Sequence, residues 1–302
     1  MNSKYKDLHL AAINLEFHKV PRKSFTAKNL LKKDHNGTTA MHFAAEFGQL
    51  DKLPKDLLTA ATLLVTDAHG TTPLHWAARG GHLNQVPRIL LNQTNLTRTD
   101  DKGQTVLHFA AAFNSFHQIP QDAVTTSNLL LKNSDGYTPI HWAARSGQLG
   151  KIPYKLMTKK SLMTRDAKGG TSLHAAAAYG QLNTVPWDLL SNAMIRTKTH
   201  AGTTIFHWAA KHGQFNQIPK RLLTVDNLLL RDRKKVTSLQ IASQYGTADQ
   251  LLGIDFPEEV KAMVSPDWWT NNQAVLAEAR AATSDLNKVE VGNFSETIEI
   301  EL

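Results

Sequence analysis

Between Gly70 and Leu91 the chain reads GTTPLHWAARGGHLNQVPRILL, with Thr72, His75, Trp76, Arg79 and His82 close together. Residues of these types could hold a metal ion, or pair a hydroxyl nucleophile with a general base. The 302-residue chain contains 14 His and no Cys. Disulfides, thiolate zinc sites and Cys nucleophiles are therefore excluded, and any site chemistry falls to His with Ser, Thr or acidic residues. No glycine-rich phosphate loop, HExxH pair or nucleophile elbow occurs.

The same cluster recurs. GTTAMHFAAEFGQLDKLPKDLL starts at Gly37, GQTVLHFAAAFNSFHQIP at Gly103, and GYTPIHWAARSGQLGKIPYKLM at Gly136. GGTSLHAAAAYGQLNTVPWDLL follows from Gly169 and GTTIFHWAAKHGQFNQIPKRLL from Gly202, always at a step of 33 residues. A degenerate copy precedes them, with His9 and Pro21 in register. Another follows, with Gln240 where His is due, Lys235 at the turn Gly and Leu252 at the Pro; Lys4 stands at the turn Gly of the first copy. A fixed period of this length is the signature of stacked repeats, none of which can bury its apolar face alone.

The period and the T-P-L-H-x-A-A core resemble the ankyrin repeat, over about 250 residues in eight copies. The resemblance implies an all-α solenoid of helix-turn-helix repeats with capping terminal copies. The array is placed at residues 1–256, with repeats at 4–36, 37–69, 70–102, 103–135, 136–168, 169–201, 202–234 and 235–256. Within each copy Gly supplies a positive-φ turn, Thr caps a short helix, and paired Ala residues allow close helix packing. Gly48, Gly81, Gly147, Gly180, Gly213 and Gly246 end that helix, and a second antiparallel helix follows. Pro21, Pro54, Pro87, Pro120, Pro153, Pro186 and Pro219 depart from the common pattern, in the manner of a bacterial or viral variant. With Asp51, Asn84, Asn183 and Asn216 as upstream caps, they predict a second helix that starts late and is short.

Residues 257–302 form a separate segment. SPDWWTNNQAVLAEARAAT reads as a helix capped by Ser265 with Pro266 at its first position, and Trp268 and Trp269 dock it on the last repeat. KVEVGNFSETIEIEL reads either as a hairpin around Gly292-Asn293 or as an acidic tail.

The period dissolves the apparent active site. His9, His42, His75, His108, His141, His174 and His207 share one repeat position. The resemblance makes that His a scaffold residue, hydrogen-bonded within and between turns. Stacked repeats are about 8–10 Å apart, too far for neighbouring His to share a metal with ligand bonds of about 2.1 Å. A non-enzymatic protein without cofactor or metal is expected. The N-terminus is a poor signal peptide, and no apolar run approaches the ~18–20 residues of a membrane span. A cytoplasmic protein is expected, with a secreted effector as the other option.

What remains is the surface that varies. In the ankyrin family the partner usually docks on the concave side, on turn tips and exposed first-helix positions. The two positions after the paired Ala read Glu46, Arg79, Ala112, Arg145, Ala178, Lys211, Gln244 and Phe47, Gly80, Phe113, Ser146, Tyr179, His212, Tyr245. Cations Arg79, Arg145 and Lys211 alternate with aromatics Phe47, Phe113, Tyr179 and Tyr245 every second repeat, as do Trp76, Trp142 and Trp208. The Trp residues read as packing; the other aromatics either pack or bind. Turn tips add Lys102, Lys168 and Arg233 among other cations. The net charge of +8 splits into −6 for residues 257–302 (three basic, nine acidic) and +14 for the rest.

Two functions follow from this surface. One is a protein-interaction scaffold that holds an acidic or extended protein segment on a basic, aromatic-studded concave face. The other is nucleic-acid binding on the same face. The acidic tail, with Glu290, Glu296, Glu299 and Glu301, is expected to self-associate with the basic groove.

Overall fold

The computed structural model describes residues 7–247. Lys4, Leu252, the expected helix from Ser265, the Gly292-Asn293 hairpin or tail and the 256/257 boundary lie outside the described residues. The chain divides into two compact units, Met1–Ala167 and Lys168–Leu302.

Each copy opens with a short helix: Leu8–Ile13, Ala40–Glu46, Pro73–Gly80, Val106–Ala112 and Pro139–Arg145 in the first unit. The second unit has Ser172–Ala178, Ile205–His212 and Ser238–Gln244. Six to eight residues are too few for a stable isolated helix, so stacking must hold them. Within each unit successive first helices pack side by side. The paired Ala residues make this close approach possible: Ala44, Ala45, Ala77, Ala78, Ala110 and Ala111 are 0% exposed. Leu74, Leu83, Leu96 and Leu107, also 0% exposed, fill the space between layers.

Among the described residues there is no strand, only isolated bridges such as Thr99 with Thr105. The helix ends expected at Gly48, Gly81, Gly147, Gly180, Gly213 and Gly246 all have positive φ, between 65° and 78°. Asn114 takes the same conformation in the fourth copy and Leu15 in the first, at 60° and 58°.

The second half of each repeat differs from the expected late, short second helix opened by Pro. Each Pro sits between two three-residue 3₁₀ turns, as in Leu83–Gln85 and Arg88–Leu90 around Pro87. Its backbone is extended; Pro87 has φ −53° and ψ 129°, and Pro54 has φ −55° and ψ 131°. The reason is steric. A Pro ring drives the preceding residue out of the helical region, and Leu53 is accordingly at φ −84°, ψ 152°. Asp51, Asn84, Asn183 and Asn216 therefore lie inside 3₁₀ turns rather than capping a helix.

A one-turn helix then starts six residues after the Pro, at Ala60, Gln93, Asn192 and equivalent positions. Its cap is Thr26, Thr59, Asn92, Thr158 or Ser191 in successive copies that have this helix. Asn92 accepts from Asn95 N–H at 3.0 Å, and Asn95 Nδ2 donates back to Leu90 O at 3.0 Å. Asn128 and Asn227 tie down Ala123 O and Leu222 O in the same way, at 2.9 and 2.8 Å.

Candidate functional site

The turns that enter the first helices are built around one polar residue, an Asp in most copies, Asn133 in the fifth and Thr199 in the seventh. Asp67 Oδ1 accepts the backbone N–H of His69 and of Thr71, both at 2.9 Å, and Oδ2 accepts the Thr71 hydroxyl. Asp34 and Asp100 bind their turns alike through Asn36 and Thr38, and through Lys102 and Gln104. Neighbouring tips are joined by single backbone bonds, such as Asp101 N–H to His69 O at 3.0 Å and Arg233 N–H to Ala201 O at 3.0 Å.

The repeat His completes the helix start. Thr72 N–H donates to His75 Nδ1 at 3.1 Å, and the Thr72 hydroxyl lies 2.9 Å from the same nitrogen. A backbone N–H can only donate, so Nδ1 carries no proton and the proton resides on Nε2. His75 Nε2 donates to Arg98 O at 3.0 Å. His42, His108 and His207 reach instead across to the next copy, to Thr71 O, Tyr137 O and Val236 O. With both nitrogens engaged, these rings are struts. Gln240 imitates them in the last copy, accepting Thr237 N–H on Oε1 at 2.8 Å.

This arrangement makes stability depend on acidity. Burial pushes His42, His75 and His108 down to about 4, and lowers His207 as well. In an unfolded chain these rings titrate near ~6.5. Their contribution is complete above that value and is lost as pH falls from it toward about 4. With three rings taking up protons together, the unfolding free energy should fall by about 4 kcal/mol per pH unit at its steepest. Glu46 and Asp100, both raised by burial, oppose this closer to the ordinary carboxylate range. Urea titrations across this interval check the slope; a profile flat between about pH 6 and pH 5 contradicts it.

The cations named from the repeat pattern are half-buried against rings. Arg79 Nε lies 3.1 Å from Glu46 Oε1, and its guanidinium carbon is 5.7 Å from the Trp76 ring centre. Arg145 lies 5.3 Å from the Trp142 ring centre, and Lys211 Nζ lies 5.7 Å from that of Tyr245. Trp76 Nε1 donates to Thr71 Oγ1 at 2.7 Å, and Trp208 Nε1 to Thr203 Oγ1 at 3.2 Å. The second-series aromatics divide. Phe113 is half-buried and stacked on Phe109 at 6.3 Å, and Tyr245 is half-buried. Phe47 and Tyr179 are exposed at 37% and 41%. His212 is exposed too, stacked between Tyr179 and Trp208.

Gly80, which the alternation groups with the variable surface, is a packing residue. A Cβ there would lie 2.0 Å from Glu46 O. Ser146, at the same repeat position, donates from Oγ to Ala111 O at 2.5 Å.

Exposed charge on the tips differs between units. In the first, Lys33, Lys102, Lys132 and Arg165 share the edge with exposed Asp101 and Asp135. In the second, Lys168, Lys198, Arg231, Arg233, Lys234 and Lys235 are exposed, while Asp232 is 9% exposed and accepts Val236 N–H at 2.9 Å. Two lysines also tie neighbouring tips, Lys33 Nζ to Thr66 O and Lys198 Nζ to Arg231 O.

The family model described as ankyrin repeats (3 copies) matches residues 52–121 and 119–198. These are ankyrin repeats. The ankyrin repeat domain of Bcl-3, described as a unique member of the IkappaB protein family, is similar in structure. It has a TM-score of 0.50 and 21% identity, with 72% of this chain and 99% of that one covered. No curated protein matches the chain. Ankyrin repeats generally mediate protein–protein interaction and typically form non-enzymatic scaffolds. No described helix is long and apolar enough to cross a membrane.

Sequence reasoning missed the brackets between these repeats. Gln85 Nε2 donates to Gly48 O at 3.1 Å while its Oε1 accepts Leu50 N–H at 3.0 Å. Gln118 holds Gly81 O and Asn84 N–H at 2.8 and 3.1 Å. The signal was present as a Gln two residues before Pro87 and Pro120. The Glu46–Arg79 pair was also visible as opposite charges 33 residues apart.

Proposed function

We propose that the chain is a non-enzymatic scaffold that holds an acidic, extended segment of a protein partner on its first helices and turn tips. The supporting observation is the tip edge of the second unit. Its six exposed cations are Lys168, Lys198, Arg231, Arg233, Lys234 and Lys235, and the turn acid, Asp232, faces inward on the backbone. Residues 168–247 carry ten Lys or Arg and three Asp, a net of +7. Such a field attracts an anionic partner and speeds its association. Exposed Tyr179, on the same unit, supplies an apolar anchor.

Single-stranded nucleic acid is the competing ligand, because stacked rings next to cations also suit bases and phosphates. The acidic stretch 257–302 is the competitor within the chain. Affinity capture with and without nuclease separates the first two. A protein partner that survives nuclease and is displaced by salt supports the scaffold reading; one lost with nuclease overturns it. Truncation after Thr283 is expected to strengthen capture; unchanged capture and oligomeric state remove the tail from the account.

A further inference from the structure

The turn entering the eighth copy departs from those before it. Gly37, Gly70, Gly103, Gly136, Gly169 and Gly202 close the six preceding turns, with φ between 71° and 82°. The eighth copy has Lys235 there, at φ 65°. The turn itself is unchanged: Lys235 N–H donates to Asp232 O at 3.1 Å, as Gly202 N–H does to Thr199 O at 3.0 Å. A left-handed conformation strains any residue with a Cβ, and Gly would remove that strain with no loss of hydrogen bonding. In the interior of the second unit a Cβ is also blocked by the next tip, since one on Gly202 would lie 2.7 Å from Arg233 N. Lys235 is exposed, so a side chain fits at the eighth copy. Room permits a side chain there but does not require one.

Lys235 carries a second cost. Residues 231–235 hold four Lys or Arg, whereas none of the six preceding turns, 33–37 to 198–202, holds more than two. Arg231, Arg233, Lys234 and Lys235 are all exposed, and the one acid among them, Asp232, accepts Val236 N–H at 2.9 Å. The bridge between Arg231 and Thr237 closes the turn at its base. Lys198 of the neighbouring tip joins it, with Nζ 2.7 Å from Arg231 O. The ends of such a turn are under about 7 Å apart. The cation stems therefore leave the backbone within a Debye length of one another, ~8 Å at physiological salt. Like charges this close repel and oppose folding. Strain and repulsion thus fall on one position that the scaffold fills with Gly in the six turns before it, and a backbone outlier kept against such costs points to a function. The same compactness selects the ligand. Carboxylates that arrive together neutralise these cations together, whereas carboxylates spread along a segment reach the turn singly. Nucleic-acid affinity grows with the number of phosphates neutralised along the strand, and one turn meets few of them.

We propose that the turn 231–235 binds a compact run of acidic residues on the protein partner, with Lys235 as the residue added for that contact. The proposal rests on the acidic-partner reading and narrows its seat to one turn. It is tested on the full chain by fluorescence anisotropy with three labelled probes at one ionic strength. They are a Gly-Ser peptide carrying one uninterrupted run of Glu, a peptide of the same composition with its Glu residues spread evenly, and an oligothymidylate of similar charge. The peptide with the uninterrupted run is expected to bind about tenfold tighter than the spread one. Lys235→Gly should weaken it by about threefold, yet raise the melting midpoint of the protein by about 2–4 °C. Lys235→Arg keeps both the charge and the strain, and should bind and melt as the original does. A residue that only builds the turn would not lose affinity while gaining stability. Equal affinity for the two peptides, or a Lys235→Gly protein that binds as tightly as the original or melts no higher, overturns this inference and leaves the acidic-partner reading standing. Binding of the oligothymidylate alone, or of no probe, overturns both.

Discussion

Replacing His75 with Ala is expected to destabilise the first unit by about 3 kcal/mol, whereas His75→Gln should cost about 1 kcal/mol or less. The ring is 0% exposed and uses both nitrogens, on Thr72 N–H and on Arg98 O. Ala leaves a cavity, an orphaned buried N–H and an orphaned carbonyl, and each unsatisfied group costs about 1–3 kcal/mol. Gln restores the first bond, because the chain already uses that solution at Gln240, whose Oε1 accepts Thr237 N–H at 2.8 Å. It reproduces the second bond less well, since the Gln side chain has one more rotatable bond than the rigid ring and loses more entropy when fixed. Urea unfolding of the three proteins decides the matter. Equal losses for Ala and Gln would mean that ring volume, not the cap, holds the repeat.

A second large effect is expected at Gly80. Gly80→Ala should cost about 3 kcal/mol, the upper end for overpacking, because the new Cβ would lie 2.0 Å from Glu46 O and 2.9 Å from Glu46 Cα. These are backbone atoms of the neighbouring helix, so relief requires the two helices to move apart. That movement would also loosen the Glu46–Arg79 pair at 3.1 Å. Gly81→Ala is the matched control. Its φ of +78° strains any L side chain, yet nothing lies within 4 Å of the added Cβ. Left-handed strain alone costs about 1 kcal/mol. A larger loss at Gly81 than at Gly80 would show that backbone conformation, not helix contact, dominates here.

The repeat itself was legible because a backbone constraint that recurs demands a residue that recurs. Thr, His, paired Ala and the helix-ending Gly return every 33 residues because each turn, cap and close contact returns with them. The second half of the repeat was less legible. A Pro forbids a continuous helix, but it fits equally well at a helix start or between two turns. The choice depends on contacts with the preceding repeat, where Gln85 and Gln118, in the turns before Pro87 and Pro120, bracket the turns before Pro54 and Pro87. The candidate surface was read by residue type, and type does not reveal what a side chain already touches. Arg79 looked like an open cation, yet Glu46 and Trp76 engage it. Gly80 looked like a variable surface position, yet it is where two helices meet. The Tyr179–His212–Trp208 stack combines a 33-residue offset with a four-residue one. Neither offset alone signals that three rings meet.

On the proposed reading, the cations on the turn tips of the second unit hold an acidic protein segment. Its most direct test is a titration of a labelled acidic peptide against two double variants with the same net charge. One reverses the tip, Arg233→Glu with Lys234→Glu. The other reverses Lys159 and Lys160, which are exposed on the short helix Lys159–Met163 of the first unit. The tip variant is expected to lose at least about tenfold in affinity and most of its salt dependence, while the Lys159/Lys160 variant changes less than about threefold. Equal losses in the two variants would show that net charge alone attracts the peptide, and would contradict a binding edge at the tips.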